Sequence, residues 1–237
     1  KYFDQMDKIL VFTATYNEKD NIEKLINVIL KLRNDIKMLV IDDNSPDKTY
    51  EILEKISKKN DNLIVVKREK KLGLNTAHIM AYEYALKNNY DKLITLDADF
   101  SHDPNEITKI IDFLDKYDFV IGSRYIEGGK NVQPFFRYLI SYLGNKLIKL
   151  VLKINLNEFT TSYRGFNLKK LNNFNLNQIK GKGYSFFMET VIVLNRLGYK
   201  CFEFPIHFKD RVKGKSKIPK IEIFRTFKNL ILLFLKK

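Results

Sequence analysis

Four times in its first 117 residues the chain passes from a short apolar run, through a polar tip, into a segment whose apolar residues recur at three- and four-residue spacing. The runs cover residues 8–14, 37–41, 63–67 and 92–96, nearly continuous in Ile, Leu, Val and Phe, as strands buried on both faces are. Helices are expected to open near Asn21, Thr49, Ala77 and Asn105; in the first, Ile22, Leu25, Ile26, Ile29 and Leu30 share one face. Strand and helix units in this order cross over right-handedly. The fold expected is therefore α/β, a doubly wound and mostly parallel sheet with flanking helices, with a fifth strand at 118–125.

Sheets of this kind bind ligands outside the carboxyl ends of their strands, and there the polar residues gather. Thr15-Tyr16-Asn17-Glu18 follows the first run, Asp42-Asp43-Asn44-Ser45-Pro46-Asp47 the second and Lys71-Leu72-Gly73 the third. The fourth breaks off into Asp97-Ala98-Asp99 and a turn ended by Pro104; the fifth ends in Gly122-Ser123-Arg124-Tyr125. Two carboxylates one residue apart at a buried strand end need a cation, a hydrogen-bond network or water. A divalent cation with diphosphate oxygens completing its shell meets that need, and a solvated acidic turn is the plain alternative. No Gly-X-Gly-X-X-Gly and no Gly-Lys-Ser/Thr loop follows the first strand, so side chains must hold any nucleotide. Asp42 and Asp43 either accept hydrogen bonds from a ribose or base edge or cap their own turn with Asn44 and Ser45.

The second half reads differently. Residues 137–153 form an amphipathic helix with Ile140, Leu143, Leu147, Leu150 and Val151 in a stripe among Arg137, Lys146, Lys149 and Lys153. It is either core-facing or laid on anionic lipid. Residues 157–166 read as a polar loop with Arg164 between aromatics. A helix is expected near Lys169 and another from about Gly183, in which Glu189 either pairs with an Arg or serves the site. Residues 199–208 alternate as a strand. Five cations then fall within 209–217, around Gly214 and Ser216, a composition suited to a phosphate. Ile221, Phe224, Phe227, Ile231 and Leu235 mark a last basic amphipathic helix.

A formal charge of +14 favours anionic partners without choosing among nucleic acid, membrane and phosphorylated substrates. The lone Cys201 excludes an internal disulfide framework and suits a reducing compartment. No signal peptide is expected, Asp4, Asp7 and Lys8 preceding the first apolar run, and no stretch reaches the roughly 20 apolar residues of a spanning helix.

Taken in order, these motifs resemble the polyprenol-phosphate sugar transferases among the family-2 glycosyltransferases, the dolichol-phosphate mannose synthases in particular, over nearly the whole chain. Thr15-Tyr16-Asn17-Glu18 is similar to the family's Pro-Thr-Tyr-Asn-Glu, with Ala14 for Pro. The stretch from Asp42 matches Asp-Asp-Asn-Ser-Pro-Asp-Gly-Thr with Lys48 for Gly. Asp97-Ala98-Asp99 with His102, Asp103 and Pro104 matches the metal motif, Gly122-Ser123-Arg124 the Gly-Ser-Arg, and residues 211–217 Arg-X-X-Gly-X-Ser-Lys. Glu158 stands where the family usually has Asp, Ser101 where some relatives have a metal-binding Gln, and a chain without Trp lacks the Gln-X-X-Arg-Trp of processive polysaccharide synthases.

The resemblance implies a GT-A-like fold in one domain, residues 1–237, with a nucleotide-sugar half to about residue 125 and an acceptor and membrane-surface half beyond it. It implies inverting transfer of a hexose, mannose from GDP-mannose first, onto a polyprenyl or dolichyl monophosphate by a peripheral enzyme on the cytoplasmic face of a membrane. Mg²⁺ or Mn²⁺ would be held by Asp99 and Asp97. Thr15, Tyr16, Glu18, Asp42, Asp43, Lys71 and Asp97 would contact the nucleotide. Arg124, Arg164, Arg211 and Lys217, with Arg137 in reserve, would hold the lipid phosphate, and the two amphipathic helices would dock on the bilayer. The alternatives are a uridine diphosphate donor, a hydroxyl acceptor activated by a carboxylate such as Glu189, and a basic nucleic-acid-binding protein. The last is disfavoured by its strand-end acids and the lack of any nucleic-acid motif.

Overall fold

The strand Ile9–Thr15 (β1) has six of its seven residues buried and lies between two parallel neighbours, which is why it carries almost no polar side chain. A computed structural model describes residues 7–209 of the chain. Ile36–Asp42 (β2) pairs with β1 in register from Ile9 opposite Ile36 to Thr15 opposite Asp42, and Leu63–Lys67 (β3) pairs with β2. Lys92–Thr95 (β4) flanks β1 on its other side. Helices Ile22–Leu30 (α1), Thr49–Ser57 (α2) and Leu74–Lys87 (α3) supply the crossovers, and a 3-10 turn at Pro104–Glu106 leads into Ile107–Lys116 (α4) before Phe119–Ser123 (β5).

Beyond β5 come the short strand Lys130–Asn131 (β6), the helix Phe135–Leu152 (α5), the strand Arg164–Asn167 (β7), the helix Tyr184–Arg196 (α6) and the strands Cys201–Pro205 (β8) and His207–Phe208 (β9). The main sheet runs β3-β2-β1-β4-β7-β5-β8, with β7 antiparallel to both neighbours and every other pairing parallel. Two apolar layers cover it: one of α3, α6 and the segments around Phe159 and Phe174, the other of α1, α2 and α4.

Three expectations change here. The stretch read as a loop over 157–166 ends in a buried central strand, and Gly165 allows it: a Cβ there would collide with Ile110 of α4. The helix expected near Lys169 is a run of turns closed by a 3-10 segment at Leu176–Gln178. The single strand expected over 199–208 breaks at Ile206, so that β9 leaves the main sheet to pair with β6. The helix around residues 221–235 lies outside the described residues.

Lys48, standing where the resemblance has Gly, adopts φ 71°. That left-handed backbone is what glycine provides without steric cost. Asn17, Asn44 and Phe100, at the tips after β1, β2 and β4, share it with φ of 59°, 58° and 61°.

α5 turns its stripe outward. Ile140, Leu143, Leu147 and Leu150 are 49%, 53%, 37% and 75% exposed and Phe135 and Phe136 more than two-thirds so, while Asn145 and Ile148 face inward. Among the described residues no helix is long and apolar enough to cross a membrane.

Candidate active site

Four parallel strands end along one edge, and their tips are tied to each other. The Thr15 hydroxyl donates to Asp42 Oδ1 (2.8 Å), and Ser45 donates to the same carboxylate through its amide (2.9 Å) and its hydroxyl (2.5 Å). Asp42 is fully buried, and all three of these donors come from the strand tips and their loop. It caps its own turn, the second of the two roles expected for it. Asp43 instead pairs with Arg68, which the sequence reading missed; Arg68 also donates to Thr76 Oγ1 (2.6 Å) and to the Gly73 carbonyl (3.1 Å). This buried pair fixes the entry to α3. Lys71 lies over the Tyr16 ring, 4.0 Å from its centroid. Glu18 accepts from Asn21 (2.9 Å), and its amide donates to Thr49 Oγ1 (3.0 Å), joining the tip of β1 to α2.

At the tip of β4, Asp99 is 3% exposed and accepts from the Ser101 amide (3.0 Å), while the Asp97 side chain is 34% exposed and accepts from the Ser162 hydroxyl (2.6 Å). His102 closes the turn. Its Nδ1 accepts from the Asp97 amide (3.1 Å), so Nε2 carries the proton and donates to Thr161 Oγ1 (3.2 Å). The ring stacks on Tyr163 with centroids 4.9 Å apart and meets Phe208 edge-on at 5.4 Å. Burial depresses the His102 pKa, against Asp97 and Asp99, whose charges favour the imidazolium; Arg124 and Glu158 also act on it.

The residues present fit a hard divalent cation held by few protein atoms. The acids are oxygen donors, and the buried Ser101 hydroxyl beside Asp99 has no hydrogen-bond partner among the described residues. His102 has both nitrogens engaged. Among the described residues no group of three His, Cys, Asp or Glu converges as a metal cage.

At the tip of β5, Arg124 meets Glu158 in a two-point pair and also donates to Thr160 Oγ1 (3.0 Å). Burial alone would raise the Glu158 carboxyl, but Arg124 and the Thr160 donors bring it below the usual glutamate value. Glu203, also missed in the sequence, holds the loop from behind by accepting from the Asn157 amide (2.8 Å), Asn157 Nδ2 (2.9 Å) and the Glu158 amide (2.7 Å). Burial raises its pKa.

Arg164 lies deeper than a loop cation would. It is 1% exposed, donates to the carbonyls of Thr161 (2.7 Å) and Phe159 (2.9 Å), and lies against Phe119 and Phe187. Burial pulls its pKa down to about 9. It sits in the core beneath the loop. Glu189 likewise serves the fold: it accepts from the Gly181 amide (2.7 Å) at the start of α6. Arg211 and Lys217 lie outside the described residues. Beside Arg124, a cleft of about 200 Å³ opens between Tyr125, Tyr142, Lys146, Lys149 and Asn157.

An α/β sheet with one antiparallel strand inserted, carrying an Asp-X-Asp turn at its carboxyl edge, is the architecture of nucleotide-sugar-dependent glycosyltransferases of the GT-A type. The profile described as Glycosyl transferase family 2 matches residues 10–174, and the chain belongs to that family. It is similar to an undecaprenyl-phosphate mannosyltransferase of Micrococcus luteus, 34% identical over 89% of this chain and 87% of the relative. A polyprenol monophosphomannose synthase of Mycolicibacterium smegmatis is 30% identical over 89% of this chain and 81% of its own. Among solved structures, glucosyl-3-phosphoglycerate synthase from Mycobacterium tuberculosis, in complex with Mn²⁺, UDP and phosphoglyceric acid, shares the fold at TM-score 0.65 and 17% identity, over 97% of this chain and 78% of that one. A mannosyltransferase from Pyrobaculum calidifontis, in complex with GDP-Man and Mn²⁺, does so at TM-score 0.55 and 17% identity, over 98% of this chain and 64% of that one.

Proposed function

We propose that this chain transfers a hexose, mannose from GDP-mannose first, onto a polyprenyl monophosphate at the cytoplasmic surface of a membrane. The observation that carries the reading is the hydrogen-bonded path from the Asp97–Asp99 turn through His102 and Thr161 to the Glu158–Arg124 pair, which ties an acidic and a cationic group into one site. The two relatives named for polyprenyl-phosphate mannosyl transfer support the acceptor class.

In this reading Asp99 and Asp97 hold Mg²⁺ or Mn²⁺. Bound there, the ion neutralises charge on the departing nucleoside diphosphate. Tyr16, Lys71 and the Asp43–Arg68 pair line the nucleotide side, and Thr15, Asp42 and Glu18 shape its loops. One oxygen of the lipid phosphate forms a bond to the anomeric carbon as the bond to the diphosphate breaks, with inversion. A phosphomonoester has a second pKa of about 6 and is mostly dianionic at neutral pH, so no proton need be removed and no general base is required. The demand falls on holding two anions in line. Arg124 serves that purpose on the acceptor side, with Arg211, Lys217 and Arg137 as further candidates. The outward stripe of α5, beside Lys146 and Lys149, suits a bilayer surface and keeps the prenyl chain in lipid.

Incubation with GDP-mannose, UDP-glucose or UDP-N-acetylglucosamine, a polyprenyl phosphate in vesicles and Mn²⁺ or Mg²⁺ tests the reading. A mannosylated lipid and GDP are expected. Transfer only to a sugar hydroxyl, with a bell-shaped pH profile, would replace it with the alternative acceptor class.

A further inference from the structure

Between the diacid turn and Arg124 runs an unbroken set of hydrogen bonds. The Asp97 amide donates to His102 Nδ1, His102 Nε2 to Thr161 Oγ1, the Thr161 amide to Glu158 Oε1 (3.3 Å), and Glu158 takes both prongs of Arg124. The loop of residues 158–162 is fastened to the same turn again by Ser162 on Asp97, and Thr95 Oγ1 at the end of β4 donates to the Ser162 carbonyl (2.5 Å). His102 is 1% exposed and clamped between Tyr163 and Phe208, so neither nitrogen is free for a ligand or for solvent. A phenylalanine would fill the same apolar slot. A histidine is needed only for its ability to accept at one nitrogen while donating at the other.

We propose that His102 is a positioning residue: it locks the Asp97–Asp99 turn to the loop that carries Glu158 and, through that loop, sets where Arg124 stands relative to the turn. The inference rests on the proposed transfer, in which those two ends serve the two substrates. Such a group touches neither substrate and acts on the distance between them, where displacement by about 1 Å can cost on the order of 100-fold in rate. Its signature is therefore in kcat, with little change in the binding of either substrate alone.

Four variants and one spectrum test this. His102→Phe keeps the ring contacts and removes both hydrogen bonds; Thr161→Val removes the acceptor. Each is expected to lower kcat about tenfold or more, with KM for either substrate moving less than about threefold; the double variant is expected to lose no more than the worse single one, and His102→Gln to recover part of the rate. Losses that multiply in the double variant, a KM effect confined to one substrate, or full activity in His102→Phe would overturn the proposal. Only three histidines are present, His78, His102 and His207, so ¹⁵N spectra of the unmodified protein can be assigned by substitution. His102 is expected with an unprotonated Nδ1 and a protonated Nε2 in slow exchange with solvent, and the opposite tautomer would refute the geometry even if a variant failed to fold. If the unmodified enzyme transfers no sugar to polyprenyl phosphate, the transfer reading fails, while the spectrum still decides the hydrogen-bond geometry.

Discussion

Arg124 and Glu158 face each other with Nε to Oε2 at 2.7 Å and Nη2 to Oε1 at 2.9 Å, the carboxylate fully buried and the guanidinium nearly so. Each is tolerable there only because of the other, since removing one partner leaves an uncompensated buried charge. Glu158→Gln should cost about 3–5 kcal/mol, read as a lower urea midpoint with an unchanged slope.

The same pair sets part of the pH response. The folded pKa of Glu158 lies below its ordinary 4.5, so its contribution to stability is complete above 4.5 and is lost as pH falls through the depressed value. Glu203 acts with the opposite sign: its raised folded pKa reduces stability as pH climbs from 4.5 through that value. Urea midpoints measured between pH 3 and 6 should fall less steeply with acid in Glu158→Gln than in the unmodified protein. An identical acid limb would remove Glu158 from the account.

Arg164 separates core from site. Arg164→Met leaves the Thr161 and Phe159 carbonyls unpaired and should destabilise the fold by about 2–4 kcal/mol. KM for the lipid phosphate should stay within about twofold for the folded fraction. A large rise in that KM at unchanged stability would return Arg164 to the acceptor.

Lys48 holds a conformation that costs a side-chain-bearing residue roughly 1–2 kcal/mol, part of which glycine gives back through its freer unfolded chain. Lys48→Gly should therefore raise stability by about 0.5–1 kcal/mol, a melting temperature higher by about 1–4 °C.

The outward stripe of α5 predicts a separation of functions. Leu143→Asp with Leu150→Asp should change stability by no more than about 0.5 kcal/mol per site, because both side chains are already exposed. Co-sedimentation with anionic vesicles should drop by at least about tenfold, two leucines being worth about 1.5–3 kcal/mol each when buried. Unaltered sedimentation would mean that α5 faces something other than lipid.

The first five strands were legible because each is written in nearly continuous apolar residues, β1, β2, β4 and β5 being buried almost throughout and β3, at the sheet's edge, only in part, and α2, Thr49–Ser57, fell where the spacing put it. β7 was not, because four residues containing Arg, Gly and Asn carry no strand signal; β4 and β5 on either side make it one. The acids and Arg124 were marked by their places at strand ends. Arg68 and Glu203 were not, since a charge buried by tertiary pairing leaves no trace in local spacing, and the burial of Arg164 was hidden for the same reason: its partners are backbone carbonyls, which a sequence does not display.

The claim on which the rest depends is that the Asp97–Asp99 turn is where the ion and the diphosphate of the donor meet the protein. Titrating Mn²⁺ into the protein with and without GDP, following the free-ion electron paramagnetic resonance signal, tests it most directly. One ion per chain, bound only weakly until GDP is added and lost in Asp97→Asn and Asp99→Asn variants that still melt cooperatively, is the predicted result. Mn²⁺ and GDP binding unchanged in both variants would contradict it.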